Sequence, residues 1–330
     1  MLIAAAITPI WKTQPGLGEE NLKCIHSFSA MGVQLRIVAY VSHEGEFKEI
    51  KKKIETRVEQ LESIFSDYRK DSEVTRLIES APHRKPVPVS LEMYQVCKLS
   101  QKYYEMSSGA FDPTIGPLSQ IWRFARKRNR IPNSDKVANA FARVGWKQVD
   151  LTLEGKVGLK SKSIQLDFGG IAKGFVADEI INLLAQNSIT SALVDVGGDI
   201  RVGEAPPDSA GWSVAATSHP QPDLAQTMRV SNLGVATSGA SEQRLIRNGK
   251  QYSHIIDPRT GKPATHSINV TVIARNAAAA DALASAFSVL GIEQSIKLAD
   301  DRPEVFAMFV DLESDDVTFS QGYEKFIARK

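Results

Sequence analysis

The pattern of this chain predicts an α+β protein: mixed, largely antiparallel sheets with packed helices in one two-lobed unit. Three observations point there. Helix-like and strand-like segments intermingle without a regular βαβ repeat. The runs WSVAAT, LGVATSG, YSHIIDP and INVTVIA follow one another at sheet-like spacing, separated by turn residues. A chain of 330 residues, 42% hydrophobic, is also long enough to bury a substantial core.

Taken in order, residues 1–26 read as an irregular arm and residues 27–330 as the folded domain. The opening MLIAAAITPIW is apolar, but it lacks a basic leader and a small-residue cleavage site, and Pro9 interrupts it. A trimmed export signal is one reading of it, so the compartment stays open. From Phe28, FSAMGVQLRIVAYV alternates as a strand does. Ile50, Ile54, Val58, Leu61 and Ile64 lie on one face of a helix spanning Lys48 to Phe65. Ser72 precedes a short helix, and the proline-rich APHRKPVPVS is a loop or sheet edge. Helical spacing returns from Leu91 to Met106 and stops at Ser107-Ser108-Gly109.

The basic run WRFARKRNR, from Trp122 to Arg130, offers an anion or nucleic-acid patch, but with compensating acids elsewhere it reads as a solvated face. Turn-rich text follows to Leu166. A Gly-Gly element then opens a helix to about Asn187, and SALVDVGG is a buried strand. Residues 277–290 form an alanine-rich helix with Asn276 as its N-cap and Gly291 at its C-terminal stop. The segments EVFAMFV, DVTFS and YEKFIA are expected to add further strands.

Forty basic against thirty-eight acidic side chains, a formal net charge of +2, argue against a nucleic-acid partner. Cys24 and Cys97 are the only cysteines, which excludes a disulfide framework and a thiolate metal cluster. No stretch approaches the roughly 20 apolar residues that span a bilayer.

Four segments carry candidate chemistry. LDFGGIAKGFVAD, Leu166 to Asp178, places Gly169 and Gly170 ahead of a helix, where backbone N–H groups can approach an anion. Lys173 in the first turn of that helix is unfavourable unless an anion sits beside it. The segment is neither a Walker A loop nor GxGxxG. Asp281 and Ser285 are spaced i, i+4 and project from one helix face. Two oxygen ligands without a histidine suit a hard cation such as Mg²⁺, unless both are simply polar residues on an exposed face. His254 closes a strand before an Asp-Pro turn, where a histidine acts as a general base or as a hydrogen-bonded structural residue. Asp112, before Pro113 in GAFDPTIGPL, sits on a rigid turn that either presents a carboxylate or stops the preceding helix.

Each signal is small, but their order along the chain is distinctive. FSAMG, SEVTRL, GAFDPTIGPL, LDFGGIAKGFVAD, VDVGGDIRV, VATSGASEQR, HIIDPRTGKP and DALASAFSVLG together resemble the ApbE-type flavin transferase family, the FAD:protein FMN transferases, from about Phe28 onward. The resemblance implies an ApbE-like, T-fold-like architecture. It also implies a reaction in which FAD is split at its pyrophosphate, FMN is joined by a phosphoester to a threonine of an acceptor flavoprotein, and AMP leaves.

By position, the resemblance puts Met31, Tyr68, Ala110, Phe111, Asp112, Gly169, Gly170, Lys173, His254 and Ile255 at the FAD site. It puts Asp281, Ser285 and the backbone carbonyl of Ala172 on Mg²⁺. His254 is then the candidate base, with Asp112 as its rival, and Lys173 the stabilising cation. Val33 and Ser285 stand where the family often has threonine. Alternatives that keep the site are an FAD pyrophosphatase, yielding FMN and AMP, and a non-catalytic FAD-binding protein. The resemblance further implies work at the cell envelope or periplasm, with peripheral association to membrane redox complexes.

Overall fold

The computed structural model describes residues 22–216, 226–239, 245–247, 250–252, 255–264 and 266–328. Its centre is an eight-stranded sheet, whose strands we number β1 (Leu22–Ala30), β2 (Val33–Val41), β3 (Ala192–Val196), β4 (Asp199–Val202), β5 (Gly234–Gly239), β6 (Ile268–Ala274), β7 (Phe306–Asp311) and β8 (Val317–Phe319). They lie side by side in chain order, each pair antiparallel.

Two tight turns set the register at one end. Met31 and Gly32 both have positive φ, 55° and 73°, between the paired residues Ala30 and Val33. Gly197 and Gly198, at 62° and 97°, do the same between Val196 and Asp199. Two consecutive left-handed residues make the turn whose twist matches paired strands. FSAMGVQLRIVAYV is therefore a hairpin rather than a single strand. Residues 22–26, expected in the arm, belong to β1.

Helices cover one face of the sheet. They are α1 (Glu44–Phe65), α2 (Glu73–Glu79), α3 (Leu91–Met106), α4 (Gly116–Lys127), α5 (Ser134–Phe141), α6 (Ala172–Gln186), α7 (Ala277–Leu290) and α8 (Ile292–Asp300). The first six occupy the long connection between β2 and β3. On α1, Phe47, Ile50, Ile54, Val58, Leu61 and Phe65 are buried at helical spacing, and Phe65 meets Phe168 and Phe175 edge-on at 6.0 and 5.6 Å.

Helix α7 is buried at every position except Ser285. Its alanines let neighbouring backbones come close: a Cβ on Gly174 of α6 would lie 2.3 Å from the Ala277 carbonyl oxygen, and one on Gly234 of β5 2.2 Å from the Asn276 carbonyl carbon. Strand β6 is buried along its whole length because both faces are covered. Val270 and Val272 point into the helical core, and Ile273 into a second cluster with Trp212, Val214, Met228 and Tyr323. The second layer is the hairpin of Trp212–Ala216 with Gln226–Val230. The segment YEKFIA, expected as a strand, forms a 3₁₀ turn at Tyr323–Phe326 whose Tyr323 and Phe326 seal that face. No described helix is long and apolar enough to cross a membrane.

Candidate active site

A cavity of about 720 Å³ opens where the β1–β2 turn, the loop after α3, α4, the start of α6 and the outer part of α7 converge. That volume lies within the range of small-molecule and cofactor sites. Met31, Tyr68, Ala110, Phe111, Asp112, Gly169, Gly170, Ala172, Lys173, Ile255 and Ser285 all line it. Eleven positions drawn from across the sequence thus meet in one cavity. His254, expected as the base, lies outside the described residues. A wider, shallower groove along α1 and α6, edged by Lys48, Lys52, Lys53 and Glu179, carries none of these groups.

The electrostatic centre is built by three elements. The β3–β4 turn delivers Asp199, 3% exposed, and its carboxylate forms a close ion pair with Lys173 on α6. Asp281, on α7 and 5% exposed, accepts one bond from the Gly174 backbone N–H at 3.3 Å. Burial, and then the negative charge of Asp199, push the Asp281 carboxyl up to about 8. Burial likewise raises Asp199, with Lys173 acting against it. Two acids thus crowd one ammonium in a dry place, which favours the protonated form of Asp281.

The anion that Lys173 requires is supplied by Asp199, which sequence reasoning quoted without a role. Asp281 is a core residue, not a polar residue on an exposed face.

Ser285, one turn beyond Asp281, is the single α7 residue left partly exposed, and its hydroxyl would stand 2.9 Å from a Cβ added at Gly170. Gly170 thus lets the turn approach the serine; Gly169 donates its N–H to Asp167 at 2.9 Å. Among the described residues, no three His, Cys, Asp or Glu side chains gather as a metal cluster. The donors at hand are instead a carboxylate, a hydroxyl and main-chain carbonyls, which fit a hard cation that completes its shell with ligand phosphates or water. Asp281, a buried acid held by a 3.3 Å bond from the Gly174 N–H with a second acid beside it, is the observation that favours a cation here.

Asp112 has structural work. Its Oδ1 accepts from the Thr114 N–H at 2.8 Å and hydroxyl at 2.7 Å, and its Oδ2 from the Trp146 N–H at 3.1 Å. It caps the 3₁₀ turn at Pro113–Ile115 and does not stop the preceding helix, which ends at Met106. Asp178, at the end of the Gly-Gly motif, bonds the first two amides of α7, Ala277 at 2.8 Å and Ala278 at 2.9 Å, and so docks α7 on α6.

The basic run on α4 is only partly a solvated face, because Arg123 and Arg126 line the cavity. Arg123 bridges Asp67 and Asp167, each at 2.6 Å, and its guanidinium lies 4.9 Å from the ring centre of Tyr68, which stands 78% exposed at the mouth. Helical spacing held a clue to this: Ser119, Arg123 and Arg126, at i, i+4 and i+7, face one way.

The fold places a cavity of cofactor size beside a cluster of buried charges. A model of the ApbE family matches residues 31–309. The FAD:protein FMN transferase of Treponema pallidum (strain Nichols) is 35% identical over 274 residues, 77% of this chain and 75% of that protein. The protein of the same name from Escherichia coli (strain K12) is 30% identical over 255 residues, 75% of this chain and 72% of that one. The ApbE protein of Thermotoga maritima superposes with a TM-score of 0.83 at 28% identity, covering 93% of this chain and all of that one. The flavin transferase ApbE from Vibrio cholerae gives 0.83 at 25% identity, covering 93% and 99%. The chain belongs to the ApbE family.

Proposed function

We propose that this protein transfers the FMN portion of FAD to a threonine hydroxyl of an acceptor protein, with Mg²⁺ bound and AMP released. The convergence of Lys173, Asp199, Asp281 and Ser285 beside a cavity sized for a dinucleotide carries this reading, and the transferase names of the relatives support it.

In the proposed step the acceptor hydroxyl oxygen bonds to the FMN-side phosphorus, the bond from that phosphorus to the bridging oxygen breaks, and AMP carries the bridging oxygen away. Phosphoryl chemistry of this kind asks the protein mainly to position groups and offset charge. Asp281, Ser285 and the Ala172 carbonyl would hold Mg²⁺, which supplies charge neutralisation to the pyrophosphate when bound. Lys173, fixed by Asp199, adds a second cation at the same wall. The Gly169–Gly170 backbone lets the ligand come near the start of α6 without a Cβ in the way. His254 is the base we assign to the acceptor hydroxyl. The acceptor class we propose is a flavoprotein of the cell envelope, on the family resemblance.

The test is to incubate protein, FAD and Mg²⁺ with and without a threonine-bearing acceptor, then read flavin fluorescence in a denaturing gel and AMP in solution. Labelled acceptor with matching AMP supports transfer. FMN and AMP formed equally without acceptor would show hydrolysis instead, and intact FAD would show a carrier. Asp281→Ala should lower labelling by about 10² to 10³, the usual cost of removing a preorganised charge-stabilising group. Labelling that persists both in that variant and in EDTA removes the metal from the mechanism.

A further inference from the structure

Arg126 is the one guanidinium on the cavity wall whose bonding is incomplete among the described residues. Its Nη1 atom is shielded from solvent and has no hydrogen-bond partner. Its neighbour Arg123 spends Nη1 and Nη2 on Asp67 and Asp167, and Arg126 makes no comparable ion pair among the described residues. Burial and the adjacent positive charge of Arg123 both act against the charged form of Arg126, which lowers its affinity for its proton.

A half-buried arginine placed beside a like charge, with a donor pointing at nothing, weakens the unliganded protein. Such a group fits a role that is completed only when ligand enters. Its position agrees. Along α4, the cavity-lining stripe runs from Ser119 through Arg123 to Arg126, a rise of about 10 Å. The helix is buried at Gly116, Pro117 and Leu118 and exposed at Lys127, so Arg126 stands at the outer end of the stripe, on the side of Tyr68.

We propose that Arg126 binds FAD directly, its guanidinium turning toward the cavity to donate to an oxygen or ring-nitrogen acceptor of the dinucleotide at the outer end. The assignment rests on the flavin-transferase reading and adds a ligand contact on α4, the helix whose basic run otherwise looks like surface.

The experiment compares wild type, Arg126→Met and Arg126→Lys for FAD affinity by calorimetry in Mg²⁺ buffer without acceptor, and for thermal midpoint with and without FAD. A charge-assisted hydrogen bond is commonly worth a ten- to hundredfold change in affinity. Arg126→Met should therefore weaken FAD by about that factor, and Arg126→Lys by less. The unliganded midpoint of Arg126→Met should equal or exceed that of wild type, while its rise on adding FAD shrinks. A purely structural arginine would instead lower the unliganded midpoint.

Repeating the titration with FMN and with AMP locates the partner. A loss carried into FMN puts it on the flavin half, and one carried into AMP on the adenosine half; either supports the contact. FAD affinity within twofold of wild type in Arg126→Met overturns it, as does a loss of acceptor affinity with FAD affinity intact. Wild-type protein that binds no FAD overturns the functional reading itself, before any variant is compared.

Discussion

Gly174→Ala tests whether the closeness of α6 and α7 maintains the site. The added Cβ would lie 2.3 Å from the Ala277 carbonyl oxygen, 2.5 Å from its carbon and 2.7 Å from the Ala278 nitrogen. All three are main-chain atoms, held in place because Asp178 and Asn276 cap that end of α7. No side chain can rotate aside, so the helices must part by about 1 Å to restore ordinary contact. Overpacking of this kind costs about 1–3 kcal/mol, with rigid backbone at the upper end. Alanine returns about 0.8–1 kcal/mol in helix propensity.

A net loss of about 2 kcal/mol corresponds to a fall in thermal midpoint of about 3 °C in a 330-residue protein. The same displacement carries Asp281 and Ser285 away from Lys173, so acceptor labelling should fall at least tenfold at temperatures where the variant is still folded. Gly170→Ala is the control: its Cβ meets the side chains of Ser285 and Phe111, at 2.9 and 3.4 Å, which can yield. It should disturb labelling with a much smaller change in midpoint. A Gly174→Ala protein with wild-type midpoint and wild-type labelling would refute the argument.

Asp178 should leave a mark on the pH dependence of stability. Burial raises its carboxyl to about 6 from a reference of 3.8, so the folded state holds the proton more tightly than the unfolded chain. Its ionisation therefore costs the folded state stability as pH rises from about 4 to 6, by up to about 3 kcal/mol, and nothing further above that. Urea midpoints measured from pH 4 to 7 should show this decline in wild type and lose it in Asp178→Asn; parallel curves would contradict it. Arg123→Gln should lower stability at pH 7 by about 2 kcal/mol, because Asp67 and Asp167 are left facing each other with little solvent. Urea denaturation reads the loss, which should shrink toward pH 4 as Asp67, raised by burial and by the neighbouring Asp167 charge, takes up its proton.

The elements with strong periodicity were legible in the sequence. The apolar stripe of α1, the capped and alanine-rich α7, and α3 from Leu91 to Met106 all stand where spacing put them. The β1–β2 hairpin was not, because its alternation runs unbroken through a turn whose first residue is methionine, a residue that rarely takes positive φ. Tyr323–Phe326 failed for a related reason: an apolar run of that length packs equally well as a strand or as a turn of 3₁₀ helix.

At the site, the family resemblance named Lys173, Asp281 and Ser285 together. It said nothing of Asp199 or Asp178, whose roles depend on which strand and which helix end each one faces. Asp112 shows the converse, since its local turn signal was readable while its bond to Trp146, thirty-four positions away, was not. The basic run on α4 misled because charge content does not reveal which third of a helix turns inward.

The long excursion between β2 and β3 has a consequence for synthesis. One wall of the cavity is made by residues 31–173, the other by residues 238–289. A ribosome must therefore add more than a hundred residues beyond Gly170 before Ser285 can meet it. Until then the early helices have no α7 to lie against and their greasy faces stay open, so a nascent or truncated chain should be more prone to clump than to capture its ligand.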